Sequence, residues 1–500
     1  VLLCDDGLRM REAIFCSDLF TFLSRHLKDV LARKIDFEKE ARKFRGRFIF
    51  ENPLNIIIYA LTHKVTGNID NSALTANAVF SLLGIAGTSL LAWQMFGPVT
   101  ALFAAFILTV SGYFFMYSRS VHAEVTSGAF LIWGTLFYWM SAAVPAVSEM
   151  SFVWIFLAGI CAGCAMCANA RQFHVPPLFV LFEILNQLFI SRGFFFPRIL
   201  ILCTGVMVPV LVIQTFFSLL KEMGYPYWTF FKQLYERTGH LCKPDWRLPS
   251  AIVYIKTIVQ CEGVFVPLLA VAGTVLLTRE SCLSATILLA EAWLPLIMWS
   301  WRPREEMQVR EGTTGAYQFS VPRLISSFIY AFAILAALAL SRLPLNYSIP
   351  LSVVIALYSV RPIAKIMRQR AGYKKALEWI AEKNVQKQFT NVWEISTFFV
   401  GTENAYNVYD LKPGEAEQYH RNEHARYWLF APSIHQNTCR NIPLLFFDDV
   451  LAKIKPAFTV ELGIGDFMPV LIDEHNNLTP ELFKPNLIEV YDLDEFYAAR

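Results

Sequence analysis

Apolar positions in this chain gather into long blocks instead of alternating with polar ones. Runs rich in Leu, Ile, Val, Phe and Ala occupy 73–95, 98–117, 125–145, 151–170, 174–191, 198–220, 256–278, 281–301, 324–342 and 346–364. Each comes close to the roughly 20 residues that an α-helix needs to cross the hydrocarbon core of a bilayer. Short polar breaks such as Ser191-Arg192-Gly193 and Thr278-Arg279-Glu280 part most of them, while those at 221–255 and 302–323 are longer. The pattern predicts a polytopic α-helical membrane domain over 73–364, with about ten or more transmembrane helices.

Both flanks of that domain are polar. Residues 1–72 read as an outer loop with an acidic pair, Asp5-Asp6, and juxtamembrane helices, including a charged, amphipathic stretch over 11–50. Only four residues precede Asp5, too few to cross a bilayer, so a spanning helix upstream of the pair is expected. Beyond 364 the sequence is mixed and charged, long enough to bury a core of its own, and predicts a soluble α/β domain over 365–500. Within it, Lys374 to Gln388 reads as a helix and Thr397-Phe398-Phe399-Val400 as a buried strand. Ala425 to Phe430 and Phe458 to Leu462 read as further strands, with a helix over 444–454 between them.

Composition supports the membrane reading. The 500 residues are 55% hydrophobic and 15% aromatic, with 17% charged. The formal charge of +3 gives no reason to expect nucleic acid as a partner. Ten cysteines do not form a disulfide framework, because most lie inside apolar runs. Cys161, Cys164 and Cys167 sit among Ala and Gly, where small residues favour close helix packing over cluster ligation. Cys242 and Cys261 flank a polar loop and form a candidate bridge if that loop is extracellular. No P-loop, Rossmann glycine fingerprint or His-Glu-x-x-His motif is present.

Alternating the spans from an outward Asp5-Asp6 puts 118–124, 171–174, 221–255, 302–323 and the C-terminal domain on one outer face. Arg192, Arg198, Arg279 and Arg342 fall inside, yet more Lys and Arg fall outside, against the positive-inside trend. Phosphate binding by the outer basic residues accounts for this; a miscounted helix accounts for it equally.

The loops carry the chemistry. After Asp5-Asp6 comes Glu51-Asn52-Pro53-Leu54-Asn55-Ile56, running to Gly67, then Tyr117-Ser118-Arg119-Ser120-Val121-His122-Ala123-Glu124. Ala168-Asn169-Ala170-Arg171-Gln172-Phe173 and Tyr317-Gln318-Phe319-Ser320-Val321-Pro322-Arg323-Leu324 follow. In order and spacing these segments, across most of 1–365, resemble the GT-C superfamily of glycosyltransferases that use polyprenyl-phosphate sugars. Protein mannosyltransferases and lipid A aminoarabinose transferases fit best. Three departures stand out: Asn52 where the family has a second Pro, Glu124 where it has Asp, and Arg323 displaced from the usual basic position.

The resemblance implies a sugar transfer with inversion, from a polyprenyl-phosphate donor to a hydroxyl of a protein, lipid or glycan. It assigns Asp5 as general base beside Asp6 and Glu124, with Arg119, Arg171 and Arg323 on the donor phosphate. It calls for no certain cofactor; a divalent metal has no support in the sequence. It also implies a bacterial inner membrane, a site facing the periplasm and open sideways to lipid, and a C-terminal domain capping that site. The residue types suit the chemistry, since a carboxylate can take the acceptor's proton and guanidinium forks match a leaving phosphate.

Structural readings stand beside these. An acidic pair at a helix end, or Glu124 opening one, favours the helix dipole anyway. Arg171 and Arg323 suit headgroup anchoring. His122 reads as a hydrogen-bonded structural residue, and the lone acid Glu291 either pairs with an arginine or lines a cavity. The aromatic, charged stretch 221–255 suits sugar stacking and interfacial anchoring alike. An inactive GT-C-like subunit of a larger membrane assembly, or less well a transporter, competes with the enzyme.

Overall fold

The computed structural model describes residues 4–32, 34–35, 52–67, 69–119, 122–190, 195–219, 255, 258–259, 262–300, 328–368, 373–385, 387–392, 396, 400, 404–412, 414–432, 446–461 and 487–498. The stretch 221–254, Cys242, Cys261 and Arg323 lie outside these residues.

Within the outer segment expected to hold the acidic pair and juxtamembrane helices, Cys4–Leu31 forms one helix, α1, whose first turn includes positions 5 and 6. α2 (Pro53–Thr66) opens with Pro at its first position and closes on Gly67 at φ 67°, whose N–H reaches His63 O. That left-handed cap ends the helix in the way a β-carbon would oppose.

The apolar runs become helices: α3 (Ile69–Phe96), α4 (Pro98–Val110), α5 (Gly112–Ser118), α6 (Glu124–Ala142), α7 (Glu149–Ala168), α8 (Val175–Leu185) and α9 (Phe196–Leu219). α10 (Phe265–Leu276), α11 (Cys282–Ser300), α12 (Ile329–Ser341) and α13 (Leu345–Arg368) complete the series. Among the described residues, three helices are long and apolar enough to cross a membrane: Asn71–Phe96, Glu149–Ala168 and Phe196–Thr215. The pair α4 and α5, bent by 63°, adds a fourth if it is one span. Among the described residues, the other apolar runs hold helices that do not meet that length and composition. The apolar runs are continuous in sequence, but the helices within them are interrupted: at Ser111, at a π-turn over Asn186–Ile190, and at a 3-10 turn over Leu277–Arg279. A 13-residue helix such as α12 is about 20 Å long, short of a ~30 Å hydrocarbon core.

Close packing follows the small residues. A β-carbon on Gly159 of α7 would lie 2.3 Å from Leu202 O of α9, and one on Gly205 would lie 2.4 Å from Phe156 O. The glycine face of α7, Gly159 and Gly163, is therefore a backbone-to-backbone contact with α9, while Cys161 packs toward Gly134 of α6.

The tail is a sheet with helices on both faces. The expected helix is shorter, α14 (Tyr373–Glu382), because β1 (Gln388–Thr390) takes the end of that segment. β2 is Ala405–Asn407; of the strand expected at 397–400, residues 397–399 lie outside the described residues. α15 (Glu415–Glu423), β3 (Tyr427–Phe430), α16 (Phe446–Lys453), β4 (Phe458–Glu461), β5 (Leu487–Asp492) and α17 (Leu493–Ala498) follow. The order is β2-β1-β3-β5-β4, with β2, β1 and β3 parallel and β5 antiparallel to both neighbours. Tyr427 and Leu429 face α14, while Trp428 and Phe430 face α16 and α17. This is the period-2 alternation of a strand buried on both sides.

Candidate functional site at the upper end of the bundle

α1 packs across one end of the helical bundle, here its upper end. Met10, Ala13, Phe15, Cys16 and Leu19 are buried in one cluster with Ile56 and Tyr59 of α2, Ala73 and Ala76 of α3, Met166 and Cys167 of α7, and Val210 and Ile213 of α9. Asp5 and Asp6 lie one to two turns before Met10, so the acidic turn starts beside this cluster. Electrostatics report the same contact: partial burial raises the Asp18 carboxyl of α1 above its usual range, against the downward pull of His63 on α2.

α2 ties two motif-bearing loops to this end. Tyr59 Oη lies 3.1 Å from both Asn77 Oδ1 and the His122 carbonyl oxygen. Asn77 Nδ2 donates to the same carbonyl at 3.2 Å. On the other side, Ala170 N donates to Asn52 Oδ1 at 3.3 Å. An N-cap Asn ordinarily accepts from its own second or third helical amide. Asn52 makes no such cap bond and holds the 170–172 turn instead. The departure from the family's second Pro thus has a definite task.

The placements are these. Glu124 stands in the first turn of α6, its residue 3% exposed. Arg119 follows α5 and is exposed, its guanidinium 5.5 Å from the centre of the Phe115 ring. Arg171 is in the 3-10 turn Ala170–Gln172. His122 is buried and serves through its backbone carbonyl, in keeping with the structural reading. The segments carrying Asp5-Asp6, Arg119, Glu124 and Arg171 therefore share one end of the bundle. Tyr330 of α12, whose hydroxyl reaches Val125 O at 3.4 Å, brings the later helices to the same end.

Sequence reasoning missed Glu262. Its Oε1 accepts from Ser111 Oγ at 2.7 Å and from Tyr113 N at 3.1 Å, at the break between α4 and α5. Ser111 Oγ in turn accepts from Phe114 N, capping α5. The signal was a lone acid at the edge of an apolar run, which is costly unless engaged. Glu291 accepts a hydrogen bond from Thr135 Oγ1. Among the described residues, no group of three His, Cys, Asp or Glu is placed to hold a metal ion.

The opposite, lower end holds a different polar group. Arg198 Nε binds Glu183 Oε1 at 2.7 Å, its Nη2 binds Ser141 Oγ at 3.0 Å, and its Nη1 binds Ser151 Oγ. Gln187 Nε2 donates to the same carboxylate at 2.6 Å, while its Oε1 accepts from Phe195 N at 2.8 Å. Arg198 was read as an inner basic residue; its side chain is an internal tie between α6, α7, α8 and α9.

Comparison with known proteins joins these observations. Residues 51–213 match the family model of dolichyl-phosphate-mannose-protein mannosyltransferases. The match includes Arg119, Glu124 and Arg171 but neither Asp5-Asp6 nor Arg323. The fold is similar to that of ArnT from Cupriavidus metallidurans in the apo state, with a TM-score of 0.55 and 14% identity over 86% of this chain and 89% of that one. It is also similar to the archaeal oligosaccharyltransferase AglB from Archaeoglobus fulgidus in complex with an inhibitory peptide and a dolichol-phosphate. That likeness has a TM-score of 0.50 and 10% identity, covering 78% of this chain and 62% of that one. No curated protein sequence matches the chain. The chain thus shares the fold of these two solved structures.

Proposed function

We propose that this chain is an integral-membrane glycosyltransferase that moves a sugar from a polyprenyl-phosphate donor to an acceptor hydroxyl at its upper end. The observation that carries the reading is the pinning of two motif-bearing loops by one helix: Tyr59 holds the His122 carbonyl beside Glu124, and Asn52 holds the Ala170 amide beside Arg171. In a GT-C fold, that juxtaposition supports a site with acids on one side and a basic turn on the other. The dolichol-phosphate held by the archaeal relative supports the donor class.

In the proposed reaction Asp5 accepts the acceptor hydroxyl's proton as its oxygen attacks the anomeric carbon. The bond between that carbon and the phosphate oxygen breaks with inversion, through an oxocarbenium-like state. The phosphate leaves with both electrons of the bond, stabilised by Arg119, Arg171 and Arg323. Asp6 and Glu124 tune and orient the acid side. The interrupted apolar helices together cross a bacterial inner membrane about ten times in this reading, with the upper end periplasmic and open laterally to lipid. The sheet domain over 365–500 lies on that same face and shapes acceptor access.

An assay of sugar transfer by wild type and Asp5→Asn tests this. The expected outcome is loss of transfer by at least about a hundredfold, the scale of general-base contributions, with unchanged folding and donor affinity. Unchanged transfer in Asp5→Asn overturns the assignment of the base. A wild type inert towards every carrier-linked sugar tried assigns the chain a structural role.

A further inference from the structure

Positions 52, 55 and 59 follow one another at three and four residues along α2 and so lie on one face of the helix. The outer two are the pins already described, one on the Ala170 turn and one on the His122 carbonyl. The middle residue, Asn55, is 0% exposed, and neither its Oδ1 nor its Nδ2 makes a hydrogen bond. A buried carboxamide left so is destabilising, and buried polar side chains are ordinarily paired. Its position between the two loops, on the helix that ties them, gives the unpaired group a use.

We infer that Asn55 is a specificity-determining residue that binds hydroxyl groups of the transferred sugar, between the loop carrying Glu124 and the turn carrying Arg171. The inference rests on the functional reading above and deepens it. The chemistry of the unpaired atoms chooses the ligand group. An ionised phosphate only accepts hydrogen bonds, and would satisfy Nδ2 while leaving Oδ1 unpaired. A sugar hydroxyl both donates and accepts, so neighbouring hydroxyls on one pyranose ring satisfy both atoms.

Asn55→Leu removes both polar atoms at nearly constant volume. Losing an unsatisfied buried amide predicts a melting temperature equal to or above that of wild type. Binding in detergent micelles is then measured for two probes, bare polyprenyl phosphate and polyprenyl-phosphate hexose. The expected result is unchanged affinity for the bare carrier and about tenfold weaker affinity for the sugar-loaded one, the scale of a lost neutral hydrogen bond or two. Equal binding of the loaded carrier by variant and wild type overturns the inference, as does an equal loss for both probes, which would make phosphate the ligand. A defect confined to acceptor KM overturns it as well. Should Asn55→Leu fail to fold, Asn55→Asp keeps the shape with acceptors alone; failure of both to fold makes Asn55 structural and overturns the inference. A wild type that binds neither probe overturns the functional reading itself, whereas a wild type that binds both while the variant matches it refutes only the role of Asn55.

Discussion

The two ends of the bundle hold their polar side chains in opposite ways. At the lower end Glu183 and Arg198, 0% and 2% exposed, engage each other and are surrounded by Ser141, Ser151 and Gln187. At the upper end side-chain groups hold backbone atoms of loops, and one carboxamide holds nothing. The first arrangement spends its polar groups on one another and closes a helical joint. The second positions loops and leaves hydrogen-bonding capacity over. Buried charge within a membrane protein is often read as a mark of function; here the charge pair closes a helical joint, and the unpaired carboxamide of Asn55 lies with the motif loops.

Substitution sharpens the contrast, and the largest effect is expected below. Glu183→Ala leaves the Arg198 guanidinium buried without its carboxylate, and should cost about 3–5 kcal/mol of stability. Thermal unfolding of the purified protein in detergent checks this, and the apolar double variant Glu183→Leu with Arg198→Leu should recover most of the loss. If the double variant is as unstable as the single, the pair does more than hold the joint. At the upper end Asn52→Ala removes a single bond to the Ala170 amide and should cost only about 1 kcal/mol. Transfer activity should nevertheless fall by about tenfold or more, because the freed turn carries Arg171; kinetics beside a melting curve separate the two effects. The smallest change is expected for Glu280→Gln. Its partner Arg342 lies 2.5 Å away, but the pair is 25% and 55% exposed, and an exposed pair contributes about 0–1 kcal/mol. A melting temperature within a degree or so of wild type is expected, and a clear drop would give this surface pair a role in closing the α11–α12 end.

Much of this was legible in the chain because it is local. A run of apolar residues declares a buried or lipid-facing helix whatever surrounds it, and every predicted run contains one. Pro53 and Gly67 mark the ends of α2 through backbone geometry alone. Alternation within Tyr427 to Phe430 marks a strand in the same way. What was not legible depends on partners far away. Asn52 looked like a lapse from the family pattern until Ala170 met it, 118 residues on. Glu262 went unnoticed because its partner, Ser111, lies 151 residues back.

The break between α4 and α5 has a consequence for how the chain is made. A helix interrupted inside an apolar run exposes backbone groups that lipid cannot satisfy. The Tyr113 amide and the Ser111 hydroxyl find their acceptor in Glu262, which the ribosome adds some 150 residues later. Through synthesis of the intervening helices the joint is incomplete, and its final bend is set when Glu262 arrives. A chain stopped after α9 would carry both motif loops and their pins, yet lack the carboxylate that holds the helix leading into Arg119. Completion of the α4–α5 joint, and with it of the segment leading into Arg119, is therefore a late event in the biogenesis of this protein.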